Sequence, residues 1–525
     1  MALDLIIRGG TVIDGTGAPP MRADIAVEAG RIMAIGGLDT VAGAPELDAA
    51  GLYVTPGFID IHSHSDLTLL VDPRAASAIA QGVTTEVIGN CGHGCAPIVD
   101  PKIAKAAIYG PVQEADFNWR SVADYLARLE AARPAVNVLT LVPNGQLRLG
   151  ALGSEQRRAS PDELRTMKYR LAEGMEQGAF GYSTGLEYAQ EIGAPEAEIT
   201  ELCREAARSG GLYATHTRER DSRAAEAVAE AIRTARQAGA RLQISHIVPR
   251  SGAAVTQACL DLVDRARADG IDVAFDMHTR LFGFTHLKNL LPSWVLAGTS
   301  AEIAARLADQ GVRARIAGHP NLIAGLGDWE RVLLVHSRRF ADDNGTSLAE
   351  IARRRGTDPL NAAYDMLMVE ADDILRPMVI LKSYTEDVLE LAYRHPLCMI
   401  GSDATTLAPD GKLADETFYG AYTWAAWFWR RMVREKGVFT PEQAIAKLSA
   451  LPARTLGLTD RGVLRTGACA DIVAFDPEGF GETGSLEQPN RLAAGMVHVL
   501  VNGVPTRLHG TPTGRRGGAV IRAQG

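Results

Sequence analysis

Short apolar runs alternate with helix-forming stretches through the middle of the chain. The runs "NVLTLV", "GLYATHT", "RLQISHI", "DVAFDM" and "LCMIGSD" have the length and the apolar content of buried strands. Between two of them, Asp221 to Ala240 is rich in good helix formers and reaches Gly239 at its end, which predicts a helix. Strands that alternate with helices form parallel sheets, so we expect an α/β fold, a (β/α)8 barrel of the TIM type.

The two ends of the chain carry a different pattern. Short β-branched runs alternate with Gly, Pro and Asp turns in "DLIIRGGTVIDGTG", and again in "GACADIVAFDPEGF" and "GMVHVLVNGVPTRL", which is typical of hairpins. We expect residues 1–55 and 460–525 to form one small β-sandwich domain and residues 56–459 to form the barrel. About residues 277–343 fit the alternation poorly and include "LFGFTHLKNLLPSWVLAG", so we predict an insertion after a mid-barrel strand that serves as a lid or substrate wall.

Composition limits the classes of partner. The 525-residue chain has a net charge of -9, which argues against nucleic acid or an anionic membrane as a partner. The start "MALDLIIRGG" has no signal-peptide pattern, and no apolar run approaches the length of a membrane span. Six cysteines in so long a chain do not indicate a disulfide framework. We therefore expect a cytoplasmic protein that acts on a small molecule, and we leave open whether it forms a homo-oligomer.

A pair of histidines ends the strand-like run in "PGFIDIHSHSDL". Side chains two apart on a strand point the same way, so His62 and His64 can meet one cation. For an isolated His-X-His pair, two exposed or hydrogen-bonded histidines are an equally good interpretation. The pair indicates a metal site only if further residues of metal-ligand types stand at the ends of other strands.

Three further residues do occupy such positions. Cys91 follows "GVTTEVIGN", and His216 and His246 end the runs "YATH" and "QISH". A thiolate with two imidazoles makes a three-ligand zinc site that keeps one position open for water. Each residue alone is more often a packed or hydrogen-bonded side chain, but core packing gives no reason for one ligand type at each of several strand ends. Within "NCGHGCAP", we expect His93 and Cys95 to shape the turn only.

Asp403 ends another apolar run in "LCMIGSDATT". Aspartate is a poor strand residue, and a helix cap or a turn is the ordinary explanation for it. Beside a metal-bound water, the same carboxylate would take a proton from the water and return it to a leaving nitrogen. We expect Asp403 to be this general base and acid.

Together these motifs resemble the amidohydrolase superfamily, and within it the N-acyl-D-amino-acid deacylases (D-aminoacylases). The resemblance rests on segments that follow one another in the family's order along essentially the whole chain, namely "PGFIDIHSH", "GVTTEVIGNCGHGCAP", "GAFGYSTGLEY", "THTRER", "SHI", "IGSDATT", "LPARTLGLTDRGVLRTGACADIVAFDP" and "VHVLVNG". It implies a zinc-dependent hydrolase that cleaves an amide C–N bond by metal-bound hydroxide. The implied substrate is an N-acyl-D-amino acid or a related N-acyl compound.

The resemblance also assigns roles to single positions. It implies one tightly bound Zn²⁺ and a second, weaker ion, with Asp403 catalytic and Tyr188 beside the substrate. The implied ligands are Cys91, His216 and His246 for the tight ion, and His62 and His64 for the weaker one.

The chain departs from the family in its substrate-facing segments. A family lysine that helps to hold the substrate carboxylate is replaced by Val248, and the last tyrosine of the "D-X-Y-P-Y" segment is replaced by Arg280 in "DMHTR". The His-Pro-Arg segment that the family has after "GSD" gives way to "DETFYGAYTWAAWFW". Arg280 is suited to clamp a carboxylate in place of the lysine, and an ordinary lid or surface salt bridge is an equally good interpretation.

Three alternatives stay open at the level of sequence. The aromatic run and the apolar insertion would also frame a bulky, uncharged or cyclic amide, imide or carbamate. A thiol enzyme would use Cys91 as nucleophile and His93 as base, although neighbours two apart in a turn seldom reach that geometry. A non-catalytic binding protein on the same barrel is the third alternative, because a fold does not determine a function.

Overall fold

The computed structural model describes residues 3–38, 43–110 and 117–523. Its strands, in chain order, are β1 (Leu5–Val12), β2 (Met21–Glu28), β3 (Arg31–Gly36), β4 (Glu46–Asp48), β5 (Tyr53–Pro56), β6 (Phe58–Asp60), β7 (Val83–Ile88), β8 (Asn137–Thr140), β9 (Val142–Pro143), β10 (Gly181–Gly185), β11 (Leu212–His216), β12 (Arg241–Ile244), β13 (Val273–Met277), β14 (Phe282–His286), β15 (Val332–Val335), β16 (Met378–Lys382), β17 (Cys398–Ile400), β18 (Ile472–Phe475), β19 (Met496–Val501), β20 (Val504–Leu508) and β21 (Thr511–Pro512).

Helices separate most of the central strands. They are α1 (Thr68–Val71), α2 (Ala76–Ala80), α3 (Pro101–Ala104), α4 (Val122–Ala132), α5 (Asn144–Leu152), α6 (Pro161–Glu176), α7 (Glu196–Arg208), α8 (Ala224–Ala238), α9 (Ala253–Ala268), α10 (Ser293–Leu296), α11 (Ser300–Ala308), α12 (Gln310–Ala317), α13 (Leu348–Arg355), α14 (Pro359–Val369), α15 (Glu386–Arg394), α16 (Trp424–Phe428), α17 (Pro441–Leu448) and α18 (Ala450–Leu456). Within the described ranges, no helix combines the length and the apolarity that crossing a membrane requires.

Parallel strands form the predicted barrel. One run of neighbours is β6-β7-β8, and the other is β9-β10-β11-β12-β13-β17, with every pair parallel. β8 and β9 are separated only by Leu141 and together occupy one position in the barrel. The nine parallel strands therefore fill eight strand positions. A parallel bridge between Ser63 and Ala404, just beyond β6 and β17, closes the ring. The carboxyl ends of all these strands therefore meet at one mouth.

Helix α8 shows why the helix prediction holds. It covers 15 residues, and its C-terminal cap is Gly239 in the left-handed conformation at φ 68°, which glycine adopts without steric cost. Its apolar side chains recur every three or four positions and are buried on one face, namely Ala224, Ala227, Val228, Ala231, Ile232, Ala235 and Ala238. The helix thus returns the chain to the barrel between β11 and β12.

Both chain ends contribute to one nine-stranded sheet outside the barrel. Its order is β21-β20-β19-β18-β5-β1-β2-β3, with β4 paired to β1. The two ends meet where β18 runs antiparallel to β5, pairing Ile472 with Pro56. This sheet packs on the barrel through aromatic contacts such as that of Phe58 with Phe475, whose ring centroids lie 6.4 Å apart. The barrel with an attached β domain confirms the predicted fold class.

A separate unit is inserted between β13 and β17. It contains the antiparallel sheet β14-β16-β15 and helices α10 to α14. Its own apolar core joins Val295 and Leu307 to Leu367, Val379 and Leu381. Because the residues after 343 share this core, the unit continues to Lys382, farther than the predicted end at about 343. Helices α13 and α14 and strand β16 close the same core.

Candidate active site

The ligand-type residues predicted from the sequence meet at the barrel mouth. His216 is the last residue of β11, and the others follow their strands by two to four positions. These others are His62 and His64 after β6, Cys91 after β7, His246 after β12 and Asp403 after β17. The five metal-type side chains, His62, His64, Cys91, His216 and His246, are at most 3% exposed.

The ligand atoms form overlapping groups. Cys91, His216 and His246 form one group, His62, His64 and Cys91 form a second, and within each group these atoms lie within 4.8 Å of one another. His216 Nδ1 lies 3.2 Å from His246 Nε2, which lies 3.5 Å from the Cys91 Sγ. His62 Nε2 lies 3.1 Å from the same sulfur. Cys91 therefore belongs to both groups.

Buried carboxylates behind two of the histidines fix their orientation. His216 Nε2 donates to Glu187 Oε2 at 2.9 Å, and His62 Nδ1 donates to Asp276 Oδ1 at 3.0 Å. Asp276 also accepts from the His246 backbone N–H at 2.9 Å. A carboxylate on one ring nitrogen leaves the lone pair on the other nitrogen, which is how metal-bound histidines are usually held.

Sequence reasoning missed Glu187 and Asp276 as site residues. Both stand in segments that carry signals, since Glu187 precedes Tyr188 in "GLEY" and Asp276 is the last polar residue of the run "DVAFDM", which ends at Met277. An acid at the carboxyl end of a barrel strand is the same signal that identified Asp403.

Charge and burial act against each other around Glu187. Burial raises the pKa of its carboxyl, but Arg250 and His216 outweigh burial and hold that pKa at about 2. Burial lowers the pKa of His216 to about 4 in spite of the Glu187 carboxylate. The imidazole of His216 is therefore neutral near pH 7, as a metal ligand must be.

Burial also raises the pKa of the Cys91 thiol, so that a cation is needed to hold it as a thiolate.

Three site residues have left-handed backbone conformations. The φ angles are 55° at Cys91, 35° at His246 and 43° at Asp403. Such angles cost a non-glycine residue on the order of 1–3 kcal/mol and persist where the surroundings enforce them. After Cys91, the chain turns through Gly92, where an added Cβ would lie 1.7 Å from Glu191 Oε1. The loops are thus bent sharply to bring these side chains to one point.

The side chain of Asp403 is held from two sides. Its Oδ1 lies 3.3 Å from His64 Nε2, and its Oδ2 accepts from Arg280 Nη2 at 2.7 Å. Burial opposes ionisation, but the hydrogen bond from His64 and the charge of Arg280 keep the pKa of Asp403 below its ordinary range. The carboxyl is ionised and can accept a proton.

The other contacts of Arg280 are also internal. Its Nη1 donates to the carbonyls of Ser402 and Tyr419 at 2.7 and 3.0 Å, and its Nη2 donates to the Asp403 carbonyl at 2.9 Å. Arg280 therefore lies against the catalytic loop, and its Nη atoms are engaged by protein acceptors. The carboxylate clamp that the sequence suggested for Arg280 stays a prediction.

A cavity opens beside these residues between the barrel and the inserted unit. Tyr188, the predicted substrate neighbour, lines it and stands over His216 at a ring-centroid distance of 4.6 Å. The barrel side is polar and includes Arg220, His278 and Asp403. The inserted unit supplies most of the apolar wall, with Phe284, Leu322 and Leu381. The inserted unit thus lines one side of this cavity.

His93 does not form the pair that a thiol enzyme would need. Its Nδ1 lies 2.9 Å from the Cys91 carbonyl oxygen, and its Nε2 lies 3.3 Å from Gln190 Nε2. The Cys91 Sγ instead faces His62 and His246. This geometry gives Cys91 no base at His93 and disfavours the thiol mechanism.

The donor set fits a metal ion. His216 Nδ1 and His62 Nε2 both face the region of the Cys91 sulfur, and their ligand atoms belong to the two groups that contain Cys91. A cation between these atoms would be coordinated by the sulfur and by imidazole nitrogens. One sulfur with imidazole nitrogens is a donor set that zinc prefers.

Comparison with known proteins gives full-length matches. The model of the amidohydrolase family matches residues 46–507. An N-acyl-D-glutamate deacylase of Alcaligenes xylosoxydans xylosoxydans is 35% identical over 518 residues, covering 98% of this chain and 96% of that protein. These matches extend across the β domain, the barrel and the inserted unit.

Solved structures agree with this relationship. The N-acyl-D-glutamate deacylase of Bordetella bronchiseptica, solved with zinc and a phosphonate mimic of the tetrahedral intermediate, superposes with a TM-score of 0.82 at 32% identity and covers 100% of both chains. A D-aminoacylase described as having a binuclear metal centre, with one-metal activation and second-metal attenuation, superposes with a TM-score of 0.81 at 30% identity and covers 99% of this chain and 100% of its own. The protein therefore belongs to the amidohydrolase family, in the branch that contains the D-aminoacylases.

Proposed function

We propose that this amidohydrolase is a zinc enzyme that deacylates N-acyl-D-amino acids or closely related N-acyl compounds. The observation that carries the proposal is the convergence of Cys91, His216 and His246 beside the ionised Asp403 in a buried cavity. The full-length relatives support it, since they are an N-acyl-D-glutamate deacylase and a D-aminoacylase. The substrate assignment extends their activities to this chain.

Cys91, His216 and His246 hold the tightly bound zinc in this proposal, and His62 and His64 hold a second, weaker ion with Cys91. When bound, zinc polarises an acyl carbonyl and lowers the pKa of a water ligand to about 7. Glu187 and Asp276 keep His216 and His62 in the tautomers that direct a lone pair into the site. The buried position excludes bulk water from these groups.

Asp403 moves the proton. Its carboxylate takes the proton of the attacking water while the water oxygen bonds to the acyl carbon. When the C–N bond breaks, Asp403 gives that proton to the departing nitrogen, so that a carboxylic acid and a free amine are formed. Arg280 positions the Asp403 carboxylate, because its Nη2 donates both to Asp403 Oδ2 and to the backbone carbonyl of Asp403. His64 holds the other oxygen on the side of the metal-type residues.

Tyr188 lies beside the reacting groups and contacts the bound substrate in this proposal. It lines the cavity, and its ring lies 4.6 Å from that of His216 between the ring centroids. A phenol in this position can donate a hydrogen bond to a substrate oxygen.

Metal analysis of the purified protein and a hydrolysis panel test the proposal. The panel contains N-acetyl-D-amino acids with acidic and apolar side chains, their L enantiomers, and uncharged or cyclic amides. We expect bound zinc and release of the free D-amino acid. Cleavage confined to the uncharged or cyclic compounds would contradict the deacylase assignment, and a protein that binds no metal and hydrolyses nothing would favour a binding role.

A further inference from the structure

A buried guanidinium in the cavity forms no salt bridge with any residue that the structure describes. Arg220 follows β11 in "THTRER" and is only 8% exposed. Its Nη2 donates to the carbonyls of His246 and Val248 at 2.6 and 3.1 Å and to the hydroxyl of Tyr384 at 3.1 Å. Among the residues that the structure describes, no carboxylate lies within salt-bridge distance of Arg220. A single nitrogen makes all three contacts, so Nε and Nη1 are without protein acceptors in that set.

Two nearby arginines, Arg250 and Arg280, do form salt bridges. Arg250, which lines the same cavity, forms salt bridges with Glu187 and Asp221. Arg280 pairs with Asp403. Each of these two guanidinium groups forms a salt bridge, whereas Arg220 lines the cavity and forms none with the described residues.

An unpaired buried charge is costly, and an anion that enters the cavity removes that cost. The planar fork of a guanidinium matches a carboxylate with two parallel hydrogen bonds. The backbone and phenol contacts of Nη2 hold the group in place before a ligand arrives, so less side-chain freedom is lost on binding. The Arg220 position is therefore organised to receive an anion beside the reacting groups.

We propose that Arg220 binds the carboxylate of the substrate and makes this enzyme selective for N-acyl amino acids over N-acyl amines and amides. The inference rests on the proposed function and adds the residue that enforces it. The apolar wall of Phe284, Leu322 and Leu381 then holds an apolar part of the same molecule. Arg220 is a substrate-binding residue in this proposal and takes no part in proton transfer.

Kinetics on matched substrates test the proposal. An N-acetyl-D-amino acid is compared with its carboxamide, in zinc-loaded wild type, Arg220→Met and Arg220→Lys. For Arg220→Met we expect kcat/KM on the carboxylate substrate to fall by about 100-fold, mainly through KM, because a desolvated charge pair is lost. The carboxamide reaction should change by less than about threefold. Arg220→Lys keeps the charge without the fork and should lie between the two.

The matched control is Arg223→Met, three residues away on an exposed side chain that pairs with Glu219. It should leave both reactions unchanged. Equal losses on the carboxylate and the carboxamide in Arg220→Met and Arg220→Lys, or no loss on either, would overturn the proposal.

A binding measurement separates this inference from the deacylase assignment. Calorimetric titration uses a phosphonate analogue of the N-acyl amino acid and the same analogue with a carboxamide, so it requires no turnover. Wild type should prefer the carboxylate analogue, and Arg220→Met should lose that preference, even if the hydrolysis panel fails. A carboxylate preference that survives in Arg220→Met would refute the role of Arg220 while leaving the deacylase assignment intact.

Discussion

The Glu187 carboxylate accepts a hydrogen bond from His216 Nε2 at 2.9 Å and at the same time forms a salt bridge with Arg250. Glu187 thereby orients the His216 imidazole and at the same time neutralises the charge of Arg250 in the cavity wall. Because the carboxylate is ionised and buried, its effect on the imidazole is not screened by solvent.

Replacing Glu187 tests this link. Glu187→Gln should lower the affinity for zinc by about 10- to 100-fold, since the imidazole loses the anionic acceptor that fixes its tautomer. Equilibrium competition with a chromogenic chelator measures the affinity. Glu196→Gln, a carboxylate in the surface pair with Arg233, serves as the control. An unchanged affinity in Glu187→Gln would show that His216 is held by other contacts.

The proton-transfer role of Asp403 predicts a loss confined to catalysis. Asp403→Asn should lower kcat by about 100- to 10,000-fold on any substrate that wild type hydrolyses, because an amide cannot carry the proton. The zinc content should stay at the wild-type level, since the tight group is Cys91, His216 and His246. The exposed Asp410 in the same segment gives the control Asp410→Asn. Undiminished turnover in Asp403→Asn would refute this role.

Metal removal distinguishes the metal mechanism from the thiol alternative. Chelation should abolish hydrolysis and lower the Tm, because the ligand-stabilised native state loses its ion, and added zinc should restore both. Cys91→Ser should show the same loss without recovery at low zinc concentrations, whereas Cys203→Ser, a buried cysteine outside the site, should recover fully. Activity that resists chelators and disappears on alkylation of Cys91 would support a nucleophilic thiol instead.

Glu86 gives a prediction for the pH dependence of stability. Burial, with a contribution from the Asp60 carboxylate, raises the pKa of Glu86 to about 8 from its ordinary 4.5. Between these two pH values the folded state keeps a proton that the unfolded state has lost. The free energy of unfolding of wild type therefore falls by up to about 1.4 kcal/mol per pH unit across this window because of Glu86.

The variant Glu86→Gln imitates the protonated side chain and removes this loss. Relative to wild type, its free energy of unfolding should rise steadily from about pH 5 to about pH 8 and level off above that. Urea titrations at several pH values measure the difference. The replacement Glu196→Gln, at a partly exposed carboxylate that pairs with Arg233, should show no such trend. A constant difference for Glu86→Gln across the range would contradict the shifted pKa.

The sequence by itself determined the class of fold and the metal-type residues. Alternating apolar runs and helix formers specify a barrel because their periods match strands and helices, and polar residues at strand ends are brought to one mouth whenever the strands are parallel. His62, His64, Cys91, His216, His246 and Asp403 could be named for this reason, and the β domain followed from turn-rich runs at both ends.

Only the tertiary structure decided which charges meet. The sequence does not distinguish the three arginines near the site. In the structure, Arg250 pairs with Glu187 and Arg280 pairs with Asp403. Arg220 forms no salt bridge with the described residues and donates to backbone carbonyls instead. Such pairings depend on differences of a few ångströms in the paths of the loops, because hydrogen bonds weaken steeply with distance and the strength of a charge pair depends on both its separation and its burial. Hydrophobic periodicity carries no information at that scale, so the pairing of these arginines is decided only when the loops are packed together.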